Sequence, residues 1–593
     1  TLSSSSAASD VYKRQHLRRL YDLAIDTLEQ NVDHLDFNKK IIIGYVDIIE
    51  NGIGSRLEQI SFSKLMGLLH KDGFNNILFA YDLNPDPNVK DKPITFVVTD
   101  TKIGLSMKHH YTNDSTIAKY RDYIRGIHNL FDMDISNDTI DNIIELEKSL
   151  IDIQMKPIDR YDYSKLYNRY RLTGKGSKFG FNYKEYLKEL TGDSNVPDRI
   201  IIENIEYMKN IMKILRRNGA KNTIDFLVFN ILHSCAPWTS KESIELNFDM
   251  FNRTILGIPS MHPSEIAAVN CISMNLPETL DELFIKRLVD NPNEIKEQVT
   301  SMCELIREQF IKRLKNSSVI TDKRDRLRLI RKVRNVQFNV AYPDTPTKQE
   351  SYKVHKGKSL MYNIIEINRG RSAWYLAQYL GKPVDRKEWY YIHTHVVNAF
   401  YDPLINSVFI PIGILSNTQF DINREPEFNY AGIGTTIGHE LGHAIDNMSI
   451  VFNEHGKFKP NWLTDQYLTH YKATINKVIK FYNRFSVNGK RVNGELNSFE
   501  NMADIIGLNL ALDTLYTQSD VVELDLFFES YAHSFKQKTR REKTDQLIKD
   551  DPHAPRLVRI NGSVMNSQIF QEHYQLKKGD PMYRNVKRII LPF

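Results

Sequence analysis

The sequence predicts a mainly α protein with a small mixed β part, built as more than one lobe. Three observations predict it. At 593 residues the chain exceeds what one hydrophobic core normally supports. Helical apolar periodicity runs through most of the stretch from His16 to Asn339. After about Lys358 the composition changes, and β-rich runs appear between Pro, Gly and Asp.

The elements follow in chain order. The first residue is Thr1 rather than Met, and Thr1–Asp10 is Ser/Ala-rich without periodicity, so residues 1–15 are expected to be a non-native or disordered leader, the natural start lying upstream. Helices are predicted at His16–Gln30, Tyr120–Asn129, Ile140–Gln154, Asp198–Arg217, Leu280–Leu314 and Arg324–Arg334. Phe74–Ala80 and Ile94–Thr99 read as short strands. Residues 16–340 therefore form a helical amino-terminal domain, and 341–394 a connecting segment in which the polar, Pro-containing Tyr342–Lys358 is a hinge or surface connection. Residues 395–593 form the second domain.

Composition narrows the function. Hydrophobic content of 41% and charged content of 26% are ordinary for a soluble protein, and no run of about 18 apolar residues reads as a membrane span. A net charge of +6, from 79 basic and 73 acidic residues, gives no reason to expect nucleic acid as a partner. The densest basic run, Lys323–Arg334, reads as a solvated helix face with Leu327 and Ile330 turned inward. Cys235, Cys271 and Cys303 are too few for a disulfide framework and lack metal-knuckle spacing, so they are expected to be buried or free thiols.

The chemistry concentrates in Gly434–Asn447, GTTIGHELGHAIDN. His439 and His443 are four residues apart and leave one face of a helix a turn apart, close enough to share a metal, with Glu440 beside its open position. Ile433, Ile437, Leu441 and Ile445 form the apolar stripe that would bury this helix. The bland alternative is a pair of satisfied core histidines.

A third ligand is expected from another helix. In Ser498–Tyr516, Glu500 and Asp504 share one face among Met502, Ala503, Ile505, Ile506 and Leu508, where buried carboxylates need a partner and zinc would supply the charge. Two His and one Glu with an open fourth position is a catalytic zinc set. His395–Ile414 reads as two strands about an Asp-Pro turn, an edge that could hold a peptide through its backbone. Asn398 and Ala399 lie there and alone would be ordinary strand-end residues.

Four motifs together resemble the neprilysin-type zinc metallopeptidases, the family of neprilysin, the endothelin-converting enzymes and related bacterial oligopeptidases: VVNAFYDP with FIPIGIL at Val396–Leu415, GHELGHAID at Gly438–Asp446, ENMAD at Glu500–Asp504, and DPHAPRLVRINGSVMNS at Asp551–Ser567. IGLSMKHHY at Ile103–Tyr111, AYPD at Ala341–Asp344 and GKPVDRKEW at Gly381–Trp389 extend the resemblance from about Tyr21 through most of the chain. It implies a two-lobed zincin, with a thermolysin-like catalytic lobe and a helical lobe enclosing a cavity. It also implies one Zn2+ per chain on His439, His443 and Glu500, with Glu440 as general base and His553 stabilising the oxyanion. Asp446 and Asp504 would orient the histidines. Asn398, Ala399 and Arg559 would hold substrate, Arg559 also bracing the site. The partners implied are short peptides, and a monomer is expected.

The resemblance places Ile414, Gln419, Thr435, Thr436, Ser534 and Phe535 around the side chain that follows the cut bond. Only Ile414 and Phe535 are strongly apolar, which predicts a weaker preference for Phe or Leu than the family norm. The alternative is that the hydroxyls bond back to their own helix and leave an apolar surface. Departures from the family pattern are Ala24 and Lys536 where cysteines align, Phe499 before the glutamate ligand, and Ile505 and Ile506 after Asp504. The scarce cysteine and the GDPMYR stretch point to the bacterial branch. A catalytically silent peptide-binding member would lack a ligand or Glu440, and this sequence keeps them all. A metzincin would need Gly where Asp446 stands.

Overall fold

The computed structural model describes residues 2–54, 57–172, 177–192, 196–345, 352–390, 392–415 and 418–590, with the side chains of 2–12 and 288 left aside. Two compact units share the chain in alternation: the first holds Thr1–Asn84, Pro93–Leu280 and Gln349–Pro383, the second Pro85–Lys92, Asp281–Lys348 and Val384–Phe593. This differs from a helical domain, a linker and a second domain laid end to end. Residues 281–340 fold with the second unit because Val299, Ile306, Phe310, Leu329 and Val333 enter its core. The expected connector carries the helix Leu360–Tyr379, which belongs to the first unit. Residues 346–351 of the expected hinge lie outside the described residues.

In the first unit, helices surround a four-stranded sheet in the order Phe79–Pro85, Ile94–Asp100, Arg199–Ile202, Arg169–Arg171. Val97 pairs in parallel with Ile201, so the run expected to open a helix at Asp198 is a strand instead. Its successive isoleucines suit a buried strand. The helix Ile205–Thr239 starts only after Asn204, whose side chain accepts from the Tyr207 N–H at 2.9 Å. It bends at Gly219, where φ is 83° and a side chain would be strained. The leader expected to lack structure has a helical backbone from Leu2, continuous with the helix that ends at Glu29, as a stretch free of Pro and Gly allows.

The predicted helix over Leu280–Leu314 is two, Pro277–Leu288 and Pro292–Asn316, because Asn291 takes a left-handed φ of 49° and Pro292 cannot continue the first ladder. The strand expected at Phe74 begins at Phe79, after Leu78 at φ 64°. On Lys323–Arg334 the inward residues are Leu329, Ile330 and Val333, whereas Leu327 is 51% exposed. The same helix buries Asp325 and Lys332 completely, so it is not simply a solvated face.

The second unit packs around Ser498–Gln518, a helix buried on every side from Ser498 to Leu512. The expected strand pair is present: Phe400–Asp402 runs antiparallel to Ser407–Pro411, which pairs in parallel with Gln337–Ala341 on its other side. Phe400–Asp402 is thus an edge strand. The three cysteines are buried and free. Among the described residues no helix is long and apolar enough to cross a membrane.

One buried group in the first unit makes stability depend on pH. Tyr111 and Tyr120 donate to the two oxygens of Glu147 at 2.8 and 2.9 Å, and the Leu105 N–H donates to the Tyr111 hydroxyl at 2.9 Å. Burial raises the Glu147 carboxyl to about 8, although both hydroxyl donors favour its ionised form. The unfolded chain releases this proton near 4.5 and the folded chain only near 8. Between those values the folded state binds more protons, so stability falls as pH rises, by at most about 1.4 kcal/mol per unit. Urea unfolding of Glu147→Gln, which cannot ionise, is expected to lose this slope. Glu147→Ala should lose about 3–5 kcal/mol by leaving a cavity and two unpaired hydroxyls.

Candidate metal centre

The motif helix spans Thr435–Gly442 and is continued by a tighter turn, His443–Ile445. Ile433, Ile437, Leu441 and Ile445 are all buried, so the predicted stripe holds it in the core. It lies against Ser498–Gln518 at backbone contact. A Cβ on Gly438 would fall 2.8 Å from the Gly507 Cα, and one on Gly507 would fall 2.5 Å from the Thr435 carbonyl oxygen and 2.6 Å from the His439 nitrogen. One turn on, Gly442 faces Ala503 and Ile506.

This close crossing brings Glu500 to the histidines. His439 Nε2 lies 3.0 Å from His443 Nε2 and 3.2 Å from Glu500 Oε2, which is 3.7 Å from His443 Nε2. Ligands bonded to a tetrahedral zinc at about 2.0–2.1 Å stand about 3.3 Å apart, so the triangle fits such an ion. Glu500 Oε2 is buried and has no well-aligned hydrogen bond, although the Nε2 atoms of His439, His443 and His553 all lie within 4 Å of it, so a cation would satisfy it.

Each outer ring nitrogen has a carboxylate on it. Asp504 Oδ1 is 2.8 Å from His439 Nδ1, and Asp446 Oδ2 is 2.7 Å from His443 Nδ1. A carboxylate accepting from each Nδ1–H leaves each Nε2 lone pair directed at the shared point. Asp446 is completely buried, and its Oδ1 accepts from the Met448 and Ser449 N–H groups at 2.9 and 2.6 Å. Arg559 donates through Nε and Nη2 to Asp504 at 2.7 and 2.6 Å. Burial alone would raise Asp504, but Arg559 and His439 hold it well below the usual carboxylate range. Burial likewise works against Glu500, and the charge of His443 with the His439 and His553 imidazoles keeps it ionised. Burial disfavours protonated His439, yet Asp504 and Glu500 raise it to about 10. The cluster is therefore strongly attractive to positive charge.

Glu440 is buried beside the two histidines, and burial raises its pKa against their opposing fields. His553 lies 3.1 Å from Glu500 through Nε2 and 2.9 Å from Asp551 through Nδ1. Its loop is held by Asn497, which donates to the Asp551 and Pro552 carbonyls at 2.9 and 2.8 Å. Phe499 packs near His443, ring centres 6.1 Å apart, while Ile505 and Ile506 are buried, so these departures fill core space and leave the donor set intact.

The structure thus gathers His439, Glu440, His443, Asp446, Glu500, Asp504, His553 and Arg559. Asn398 and Ala399 immediately precede the edge strand Phe400–Asp402, Asn398 exposed and Ala399 buried in the core cluster. Ile414 and Phe535 belong to the surrounding apolar cluster. Around them Thr435 donates to the Ala431 and Gly432 carbonyls at 2.8 Å, and Thr436 reaches Gly432 at 3.4 Å. Gln419 donates to the Ser534 carbonyl at 3.2 Å, and Ser534 to that of Tyr531 at 2.8 Å. These bonds turn the polar groups back onto the protein, the alternative weighed above for Thr435 and Thr436.

Sequence reasoning missed Asp281. Its carboxylate takes His395 Nδ1 at 2.6 Å, the His395 N–H at 2.9 Å and His393 Nδ1 at 3.1 Å, fixing the segment that leads to Asn398. The two-residue spacing of His393 and His395 was the available signal, since alternate residues of an extended chain share a side.

Fold and donor set define a two-unit, mainly helical metallopeptidase of the HExxH type. The amino-terminal and catalytic family models, both described as peptidase family M13, match residues 1–343 and 398–590, and the chain belongs to that family. A neutral endopeptidase of Lactobacillus helveticus is 26% identical over 447 residues, 75% of this chain and 67% of that protein. Neprilysin of Homo sapiens is 25% identical over 476 residues, 75% of this chain and 62% of that protein. The match spans 61% of the mouse membrane metallo-endopeptidase-like 1, so it covers about two thirds or less of the length of these three relatives. Among solved structures, the Mycobacterium tuberculosis zinc metalloprotease Zmp1 in complex with an inhibitor superposes with TM-score 0.86 at 21% identity, covering 97% of this chain and 88% of that one. PepO of Lactobacillus rhamnosis gives 0.86 at 21%, covering 98% and 90%. These likenesses establish the fold.

The helix crossing yields a direct test. Gly507→Ala places a methyl against the backbone of Thr435 and His439 and should force the two helices apart, at a cost of about 1–3 kcal/mol or more. Retained metal after dialysis, read by plasma emission, should fall at least about 10-fold. Gly44→Ala, whose Cβ meets nothing within 4 Å, is the control and should retain metal like the parent.

Proposed function

We propose that the chain is a zinc-dependent endopeptidase that hydrolyses peptide bonds in short peptides, with one Zn2+ held by His439, His443 and Glu500. The observation that carries this reading is the buried His439–His443–Glu500 triangle with Glu440 beside it. When bound, zinc supplies Lewis acidity to a water and to the scissile carbonyl. Glu440 takes the proton of the attacking water and passes it to the leaving amine. Its raised pKa suits it to hold that proton between the two events. His553 is nearly half exposed and has Asp551 on Nδ1, which favours its protonated form, so Nε2 on the Glu500 side can present an N–H to the developing oxyanion. Arg559 braces Asp504 and keeps Nη1 for a substrate carbonyl. Asn398 and Ala399, beside the edge strand, hold the peptide backbone in extended form. Residues 395–593 carry the catalytic groups, the partners are peptides, and the protein acts as a monomer.

Two outcomes are expected. Glu440→Gln should retain zinc and lose turnover by at least about 100-fold, since positioned acid–base help contributes 10²–10⁴. Metal content and peptide cleavage measured on one sample decide it, and near-parental cleavage by the zinc-loaded variant removes Glu440 from the mechanism.

The second outcome concerns the residue after the cut bond. Because Thr435, Thr436, Gln419 and Ser534 spend their polar atoms internally, the surface left for that side chain is Ile414, Phe535 and aliphatic carbon. An apolar lining gains about 25 cal/mol per Å² buried. In a peptide library varied only there and read by mass spectrometry, Phe and Leu are expected to exceed Ser, Thr and Gln by at least about 10-fold. Equal cleavage would restore the polar lining.

A further inference from the structure

Lys332 has no part in the reaction, yet its burial is costly. It is fully buried, on the helix Lys323–Arg334. Its ammonium donates to the Ser449 carbonyl at 2.7 Å and lies 5.7 Å from the centre of a Trp462 ring. Asp446 and Glu454 are the acidic groups whose fields favour its charge, and burial still pushes its pKa down to about 7. An apolar side chain of the same length would fill the space without this desolvation. The position therefore calls for a reason in what the ammonium holds.

Ser449 is gripped on both sides. Its carbonyl accepts from Lys332, and its N–H donates to Asp446 Oδ1 at 2.6 Å, while the other Asp446 oxygen receives His443 Nδ1 at 2.7 Å. The Lys332 backbone is pinned in turn, its carbonyl accepting from Asn406 at 3.1 Å. A continuous run of bonds thus connects the ammonium to the ring of a metal-binding histidine.

We propose that Lys332 is a positioning residue for the metal centre: it fixes the Ser449 carbonyl and, through the turn 446–449, the carboxylate that orients His443. The proposal rests on the reading of His439, His443 and Glu500 as zinc ligands. Its charge has a second effect. A cation close to Asp446 tempers the pull of that carboxylate on the Nδ1 proton, which sets how strongly Nε2 donates. Lys332 acts through Asp446 and not on substrate.

The test measures zinc dissociation constants by competition with a chromophoric chelator for the full chain, Lys332→Met, Asp446→Asn and the double variant. Lys332→Met is expected to weaken zinc binding about 10-fold in the parent and less than about 2-fold in the Asp446→Asn background, where the group it acts through is gone. The metal-free unfolding midpoint of Lys332→Met should equal or exceed the parent's, because a buried charge has been removed. Lys332→Gln, which keeps an N–H donor and also serves if the Met variant does not fold, should lose less than Lys332→Met. A dissociation constant within 2-fold of the parent for Lys332→Met, a loss in Lys332→Gln as large as or larger than in Lys332→Met, or an equal loss in both backgrounds, overturns the proposal. Failure of the zinc reading itself looks different: His443→Ala would then bind zinc as the parent does.

Discussion

The site depends on two helices meeting without side chains between them. Gly438 and Gly507 bring the backbones of Thr435–Gly442 and Ser498–Gln518 into contact, and the reach of a glutamate from one to two imidazoles on the other follows from that distance. Ordinary helix pairs stand about 8–10 Å apart with side chains between them, whereas here a Cβ on either glycine would strike the other backbone. Ile437 and Leu441 on one helix and Met502, Ile506 and Leu510 on the other hold the crossing in the core. The donor set is thus a product of packing before it is a product of coordination.

Around that crossing, charge is arranged in opposed pairs. Four buried carboxylates, Glu440, Asp446, Glu500 and Asp504, stand among three imidazoles, those of His439, His443 and His553, and one guanidinium. Such a concentration would be unstable if each group stood alone. Asp504 is neutralised by Arg559, and Asp446 is stabilised by backbone N–H groups and by the field of the Lys332 ammonium. Glu500 Oε2 is left facing the two Nε2 atoms, the place that a cation would fill, and Glu440 stays buried within the field of both histidines.

The legible part of this design was local in sequence. Four-residue spacing gave His439 with His443 and Glu500 with Asp504, and the apolar stripes around each pair told that both were buried. Tertiary decisions were not legible. Gln337–Ala341 is a strand only because Ser407–Pro411 lies beside it, and read alone it closed a helical half. Lys332 stands among so many basic residues that periodicity suggested solvent, while its partner is a carbonyl more than one hundred residues away. For Thr435 and Thr436 the sequence left two readings open, a polar lining or hydroxyls turned back to their own helix, and only coordinates show the bonds to Ala431 and Gly432. Asp281 needed the fold to meet His393 and His395. The order of the units was hidden for the same reason, since no composition change marks Leu280, where the chain passes from one core to the other.

That alternation has a consequence for synthesis. The second unit takes Asp281–Lys348 early and Val384–Phe593 late, so a ribosome releases the strand Gln337–Ala341 well before its partner Ser407–Pro411 and long before the helix Ser498–Gln518 that completes the core. At about 5–20 residues per second, the interval from Ala341 to Gln518 lasts roughly 10–35 seconds. During it Val299, Ile306, Phe310 and Leu329 have no core to enter, and the nascent chain exposes apolar helix surface of the kind that chaperones bind. The metal-binding half is therefore not a cassette that can be cut out at one boundary and expressed alone. Its inheritance is tied to residues that an early ribosome has already delivered.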